Sequence, residues 1–343
     1  MYLYEWGFQW SKRQMSYEES LKTVKNKKRK PGQAELNAPD GVGESVSTCV
    51  YDNDSVYAYS DIYMDVRTSN DEKRGLITVF LGWIGGFLFY ALAELGNISI
   101  RRMHAGHNPN GQPLMGSDYF FLIVIPLICV GAIFIYFKYA FPYLRLESFT
   151  ARRLIVRFNR ITRKVYLLRP KHLGGIQILD WDKTQIVVDK NMSELEGAGG
   201  FLILGWDKGD GVDLEGRPVD DMELAFVGKP TRNASELLAF WEYIRRYMEE
   251  GPAAAPAPKK LINKFPWPWL SLKVAWRLDT QFLRHSALWI FVLINILILP
   301  AILIHAIGHW LSLLLCYEPR FPRVIEEAGK TSPGSSDRSP AER

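Results

Sequence analysis

Apolar residues are gathered into a few long runs along this chain. Residues 76–96 carry one charge, Glu94, close to their end. Residues 119–137 carry none, and neither do residues 286–304. A membrane span needs roughly 20 apolar residues at about 1.5 Å rise each. A soluble amphipathic helix shows one apolar stripe with a 3.6-residue period, whereas these runs are apolar all round. The pattern therefore predicts three transmembrane helices. The third apolar stretch continues to Tyr317 with Pro300 inside it. It is too short for two full spans, so we read one outward span followed by a short helix in the membrane interface, with a single long, tilted, Pro-kinked span as the alternative.

Between the second and third runs the period changes. Leu154, Val156 and Phe158 alternate on one face, 159–163 reads as a turn, and 164–169 returns as a strand. Further strands fit 175–181, 184–188, 201–206 and 222–227, with turns predicted at 197–200 and at 207–211, the latter joining a hairpin. A helix follows. Asn233 and Glu236 resemble a capping box, Leu237, Phe240, Trp241, Ile244, Tyr247 and Met248 form its stripe, and Gly251 ends it. Strands followed by one helix carrying a tryptophan predict an α+β domain resembling a pleckstrin-homology (PH)-like barrel, with Trp241 as its plug.

These readings divide the chain into seven parts. Residues 1–49 form a disordered basic arm, 50–74 a juxtamembrane segment, 75–144 a transmembrane hairpin and 145–251 the PH-like domain. Residues 252–285 form a Pro-rich linker, 286–317 the third span with its extension, and 318–343 a disordered tail. Among the aromatic positions, Tyr51, Tyr57, Tyr59 and Tyr63 make 50–66 too aromatic for disorder and predict that it packs against the later cytoplasmic domain or the membrane surface.

The net charge of +5 changes little, but its placement matters. Residues 145–169 hold eight Arg and Lys against one acid, Glu147, while residues 170–250 hold nine against sixteen. Loop charge sets orientation. Eleven Arg and Lys precede the first run, and loop 97–118 has only Arg101 and Arg102. The N-terminus and 145–285 are thus expected inside and 97–118 outside. The basic hairpin predicts contact with anionic lipid through Arg152, Arg153, Arg157, Arg160 and Arg163. Trp267 and Trp269, each following a proline before the third run, predict anchors at the interface.

Catalytic chemistry finds little footing. There is no HExxH, P-loop or GxSxG pattern. Cys49, Cys129 and Cys316 stand too far apart to suggest a disulfide framework or zinc site, so no cofactor or metal is expected. His104 and His107 sit in the outer loop, while His305 and His309, four apart on a helix, are expected at the interface, as is Glu94. The lysine cluster around 25–30 is read as a solvated arm with some lipid attraction, not a nucleic-acid site.

Arg157-Phe-Asn-Arg-Ile-Thr-Arg-Lys-Val-Tyr after two spans, then a small α+β domain and a late apolar segment, resembles a bacterial membrane family of uncharacterised function. Its members are often encoded beside type VI secretion effectors. The resemblance covers roughly residues 55–315 and is carried by structural motifs. It implies a non-enzymatic inner-membrane protein, an accessory or immunity protein for such an effector, acting by protein binding. A transporter or membrane-enzyme subunit and a lipid-sensing module are the alternative readings.

Overall fold

The structure, a computed structural model, describes residues 2–14, 19, 39–69, 74–187, 200–231, 233–263, 265–276 and 297–330. The chain forms two units. One comprises Glu72–Thr150 and Pro266–Tyr317; the other comprises Tyr2–Asp71, Ala151–Phe265 and Glu318–Arg343.

The first unit is helical. Helix α2, Leu76–Ala105, is longer than the apolar run that predicts it. Its 30 residues reach about 45 Å, beyond the roughly 30 Å of a hydrocarbon core. The expected outer loop is therefore helical through Arg101, Arg102 and His104, and Glu94 lies well inside the helix. Gly106, in the left-handed conformation, ends it.

Helix α3 runs Gly116–Ile135, passes into a π turn at Tyr136–Ala140, and ends in α4, Phe141–Leu144. The π turn ends two residues before Pro142, which offers no N–H and whose ring crowds the carbonyl four residues back, that of Lys138 within the π turn; widening the turn relieves that conflict. Both long helices keep their side chains outward: only 11% and 6% of their most apolar windows are buried. They are long and apolar enough to cross a membrane, and a core helix of a soluble fold would be mostly buried. Two shorter helices, α6 (Pro268–Ala275) and α7 (Leu299–Leu314), complete the unit.

The second unit is built of antiparallel strands. Strands β1 (Val56–Tyr59), β2 (Tyr63–Arg67), β3 (Ile155–Asn159), β4 (Lys164–Leu168), β5 (Gln177–Asp180) and β8 (Gly211–Asp213) form one sheet in that spatial order. Strands β6 (Gln185–Val187), β7 (Leu202–Trp206) and β9 (Glu223–Val227) form another. The described strands make two sheets and no closed barrel. The reason lies partly at 207–211: this turn does not fold β8 back on β7 but carries the chain across to pair with β5.

Helix α5, Ala234–Glu249, lies on the main core. Its stripe is as the periodicity predicts, with Leu237, Phe240, Trp241, Ile244, Tyr247 and Met248 buried. Trp241 stacks on Trp181 at 5.6 Å between ring centroids. Asn233 occupies the cap position, but its side chain makes no capping hydrogen bond. Gly251 adopts φ +90° and its N–H bonds to the Arg246 carbonyl, stopping the helix as expected.

Three segments read as unstructured are folded in their described parts. Helix α1 spans Leu3–Gln14, and Val42 is buried in the core. Ala255 of the expected linker is also in that core, and the Ile262 N–H bonds to the Val56 carbonyl. In the expected tail, Phe321 and Ile325 of the segment bearing α8 (Arg323–Glu327) cover the outer face of the first sheet against Tyr57, Ile155, Tyr166 and Leu168. The lysine cluster and residues 286–296 of the third run lie outside the described residues.

The expected third span, 286–317, lies partly outside the described residues. Residues 318–330 are part of the same folded unit as 151–263, so both lie on one side of any membrane. Helix α7 continues through the expected span end at Ile304 without a break.

Trp241→Ala removes a fully buried aromatic, and such truncations cost about 3–5 kcal/mol. Thermal unfolding of the full chain in detergent is expected to show a clear drop in the Tm of the strand-rich unit; an unchanged Tm would contradict this packing.

Candidate functional site: a buried carboxylate and an apolar groove

Beyond α4, the chain makes a tight turn in which the Ser148 N–H bonds to the Leu144 carbonyl. This turn buries Glu147 completely enough that it is only 2% exposed. Glu147 Oε2 accepts the N–H groups of Gly75 (2.8 Å) and Thr78 (3.0 Å) and the Thr78 hydroxyl (3.1 Å). The first-turn N–H groups of a helix have no partner within it and form its positive end. Glu147 thus caps α2 with a charge of the favourable sign.

The main chain of Glu147 is engaged as well. Its carbonyl accepts from Ser312 Oγ at 2.6 Å and from Cys316 Sγ at 3.2 Å. Thr78 and Ser148 hydroxyls lie 2.8 Å apart, and buried Arg74 places Nη1 3.8 Å from Cys316 Sγ. Around this cluster the backbones nearly touch. A Cβ on Gly75 would lie 2.3 Å from the His309 nitrogen, and one on Gly308 would lie 2.5 Å from the Gly75 carbonyl. Gly75 also has φ +112°, so this crossing of α2 and α7 requires glycine on two counts. His309 Nδ1 lies 2.8 Å from Ser271 Oγ on α6.

Beside the cluster is a groove of about 670 Å³, lined by Val79, Gly82, Trp83, Phe89, Phe137 and Ile307 among others. That size falls within the usual range of small-ligand pockets, ~300–1,000 Å³. The polar groups at its wall are already used. Tyr136 donates to the Leu81 carbonyl at 3.0 Å, and Gly85 leaves room for that ring, since a Cβ would come within 2.8 Å of the hydroxyl. The groove can hold hydrocarbon; the carboxylate cluster fastens helices.

Of the predicted basic row, Arg153 and Arg157 are buried, while Arg152, Arg160 and Arg163 remain partly exposed. Arg157 is buried, bidentate to Asp65 at 2.6 and 2.8 Å, and held between the rings of Tyr63 and Phe321. Arg153 is buried over Tyr57 and bonded to Glu318 at 2.5 Å; Arg152 reaches the same carboxylate at 3.2 Å. Arg163 pairs with Asp182 and Glu249, and Arg160 bonds to the Asp61 carbonyl. These arginines bind protein carboxylates and carbonyls, and Glu318 and Phe321 cover Arg153 and Arg157.

Trp267 and Trp269 stack at 4.5 Å and remain exposed. Of the two histidines expected at the interface, His309 is buried and bonded, while His305 is half-buried. His104 and His107 are exposed and do not meet, and no group of metal-binding side chains occurs among the described residues.

Sequence reading missed two charge clusters in the strand-rich unit. Glu223, almost wholly buried, meets Arg169 at 2.6 Å and Lys12 of α1 at 3.0 Å. Burial opposes its ionisation, yet the two cations hold its carboxyl below the usual range. Glu242 is likewise buried, but hydrogen bonds from Arg245, Arg246, Ser45 and the Val46 N–H bring it down to about 2. The (i, i+3) and (i, i+4) spacing of Glu242 with Arg245 and Arg246 was the available signal.

The chain belongs to a family of unknown function, DUF6708, whose sequence profile matches residues 132–333. That match takes in Glu147, β3 to β9, α5 to α8 and the covering segment, and leaves out α1, β1 and β2. No curated protein and no solved structure matches.

Glu147→Ala would leave two buried N–H groups without an acceptor, each costing about 1–3 kcal/mol. A marked loss of thermal stability is expected, with Glu147→Gln intermediate because one oxygen remains; an Ala variant as stable as the parent would contradict the clamp. For Glu242 the folded pKa lies below the unfolded value near 4.5, so its stabilisation is present above pH ~4.5 and is lost as pH falls towards about 2. Glu242→Gln is expected to lower Tm at neutral pH and to flatten its fall over that acid range; parallel curves would contradict the assignment.

Proposed function

We propose that this chain is a non-enzymatic multi-pass protein of the bacterial inner membrane that works by binding a protein. The observation that carries the reading is the outward, apolar surface of α2 and α3, which suits lipid and no aqueous compartment. The strand-rich unit is the binding part. Its strands followed by α5 support a PH-like plan opened into two sheets. The charge bias of the sequence places this unit and the N-terminus in the cytoplasm and the 106–115 connection outside. Because 318–330 belongs to the same unit, the C-terminal segment is cytoplasmic too.

The partner class comes from the family resemblance: a type VI secretion effector, for which this chain is the accessory or immunity protein. A second reading, a transporter or membrane-enzyme subunit, is favoured by the buried His309–Ser271 pair within the helical unit.

Two measurements test this. Cysteines at 110, 254 and 330, in a background without the native three, are to be treated with an impermeant thiol reagent in intact cells. Labelling at 110 only is expected before lysis; labelling at 254 or 330 would overturn the orientation. Deleting the gene should make cells sensitive to siblings that deliver the neighbouring effector, and restoring it should protect them. A deletion strain that competes normally would remove the immunity role. Loss of protection in His305→Ala with His309→Ala, at normal protein level, would favour the second reading.

A further inference from the structure

Helix α1 is mounted with its polar side inward. Tyr2 is buried and donates to the Ala151 carbonyl at 2.8 Å. Glu5 is buried, and Gln9 and Lys12 both reach the Glu223 carboxylate, at 3.4 and 3.0 Å. Positions 2, 5, 9 and 12 share one side of a helix. The other side carries Leu3, 44% exposed, Trp10, 51% exposed, and half-buried Trp6, with the two indoles stacked at 6.2 Å. Gly7 lies on this side as well, and a Cβ there would meet nothing within 4 Å. An amphipathic helix on a soluble domain is arranged the other way round.

The mounting is fixed. Lys12 and Arg169 together compensate the buried Glu223 charge. Rolling α1 over to hide its tryptophans would draw Lys12 away from that carboxylate, leaving a buried charge half-compensated.

We infer that the Leu3–Trp6–Trp10 face of α1 docks into the headgroup zone of a phospholipid bilayer. This rests on the membrane reading proposed above, under which the chain's own spans keep a bilayer within reach. Single exposed apolar residues are ordinary, but two stacked indoles beside a leucine on one helix face suit the interface, where Trp is enriched. The last turn adds Arg13, which is exposed at the rim of the face and complementary to anionic headgroups. With the domain gripping the polar side, the apolar side is left for lipid.

The test uses the full chain in vesicles of phosphatidylcholine with phosphatidylglycerol. A nitroxide is placed at Gly7→Cys with Cys49 and Cys129 changed to Ser, so that both tryptophans remain. Separate samples carry it on native Cys129 in α3 and on Arg217→Cys, a water-facing site. Collision with oxygen, which concentrates in lipid, is compared with collision with a water-soluble nickel chelate. The oxygen-to-nickel ratio at Gly7→Cys is expected to be several-fold above that at Arg217→Cys and to fall when Trp6 and Trp10 are both changed to Ser. A ratio equal to that at Arg217→Cys, with Cys129 strongly oxygen-favoured, overturns this inference and leaves the membrane reading standing. A label shielded from both relaxants also overturns it, because a second copy or another protein then covers the face. A nickel-favoured Cys129 removes the membrane reading and this inference together.

Discussion

The outer surfaces of α2 and α3 are apolar and largely exposed, and water is a poor solvent for them. Phe80, Trp83, Phe87, Phe120, Phe121 and Phe134 all point outward and are more than half exposed. Burying apolar area stabilises by roughly 25 cal/mol per Å², so leaving this much carbon in water would be strongly unfavourable. Lipid removes the difficulty, and it imposes a rule in turn: backbone groups at that depth need partners within the protein. Regular helices supply those partners along their length. Irregular backbone is confined to the ends, where Glu147 and Gly75 meet.

Glu147 is the residue through which that confinement works. The same side chain that caps α2 belongs to a turn whose carbonyl holds Ser312 and Cys316. One residue therefore joins the start of one helix, the end of a second and the last turn of a third. Glycine at 75 and 308 permits the approach, and the π turn before Pro142 lets the chain reach it. In the strand-rich unit the same economy of charge recurs. Asp65 and Arg157 face each other across β2 and β3, and Phe321 closes over the pair.

Much of this was legible from residue order. The apolar runs located α2 and α3, alternation located β3 and β4, and the stripe with Gly251 located α5. What escaped depended on partners far away in sequence. Arg157 reads as a surface cation until β2 is recognised as its neighbour and 318–330 as its cover. That segment, rich in charge and proline, has the composition of a tail, yet Phe321 and Ile325 pack it on the sheet and Glu318 pairs with Arg152 and Arg153. Glu147 looked like a stray acid in a basic block because its donors lie some 70 positions earlier. Helix α1 was hidden for the opposite reason: its periodicity is real, but the polar side faces in. Cap chemistry was the weakest guide, since Asn233 sits at the cap position without capping.

The central claim is that α2 and α3 are embedded in a bilayer. Alkaline carbonate extraction of membranes from cells expressing the full chain addresses this most directly, because it strips proteins held by charge or by surface contact and leaves those that span. The account predicts that the chain stays with the membrane pellet. Its release into the supernatant, together with soluble peripheral proteins, would contradict the account at its root.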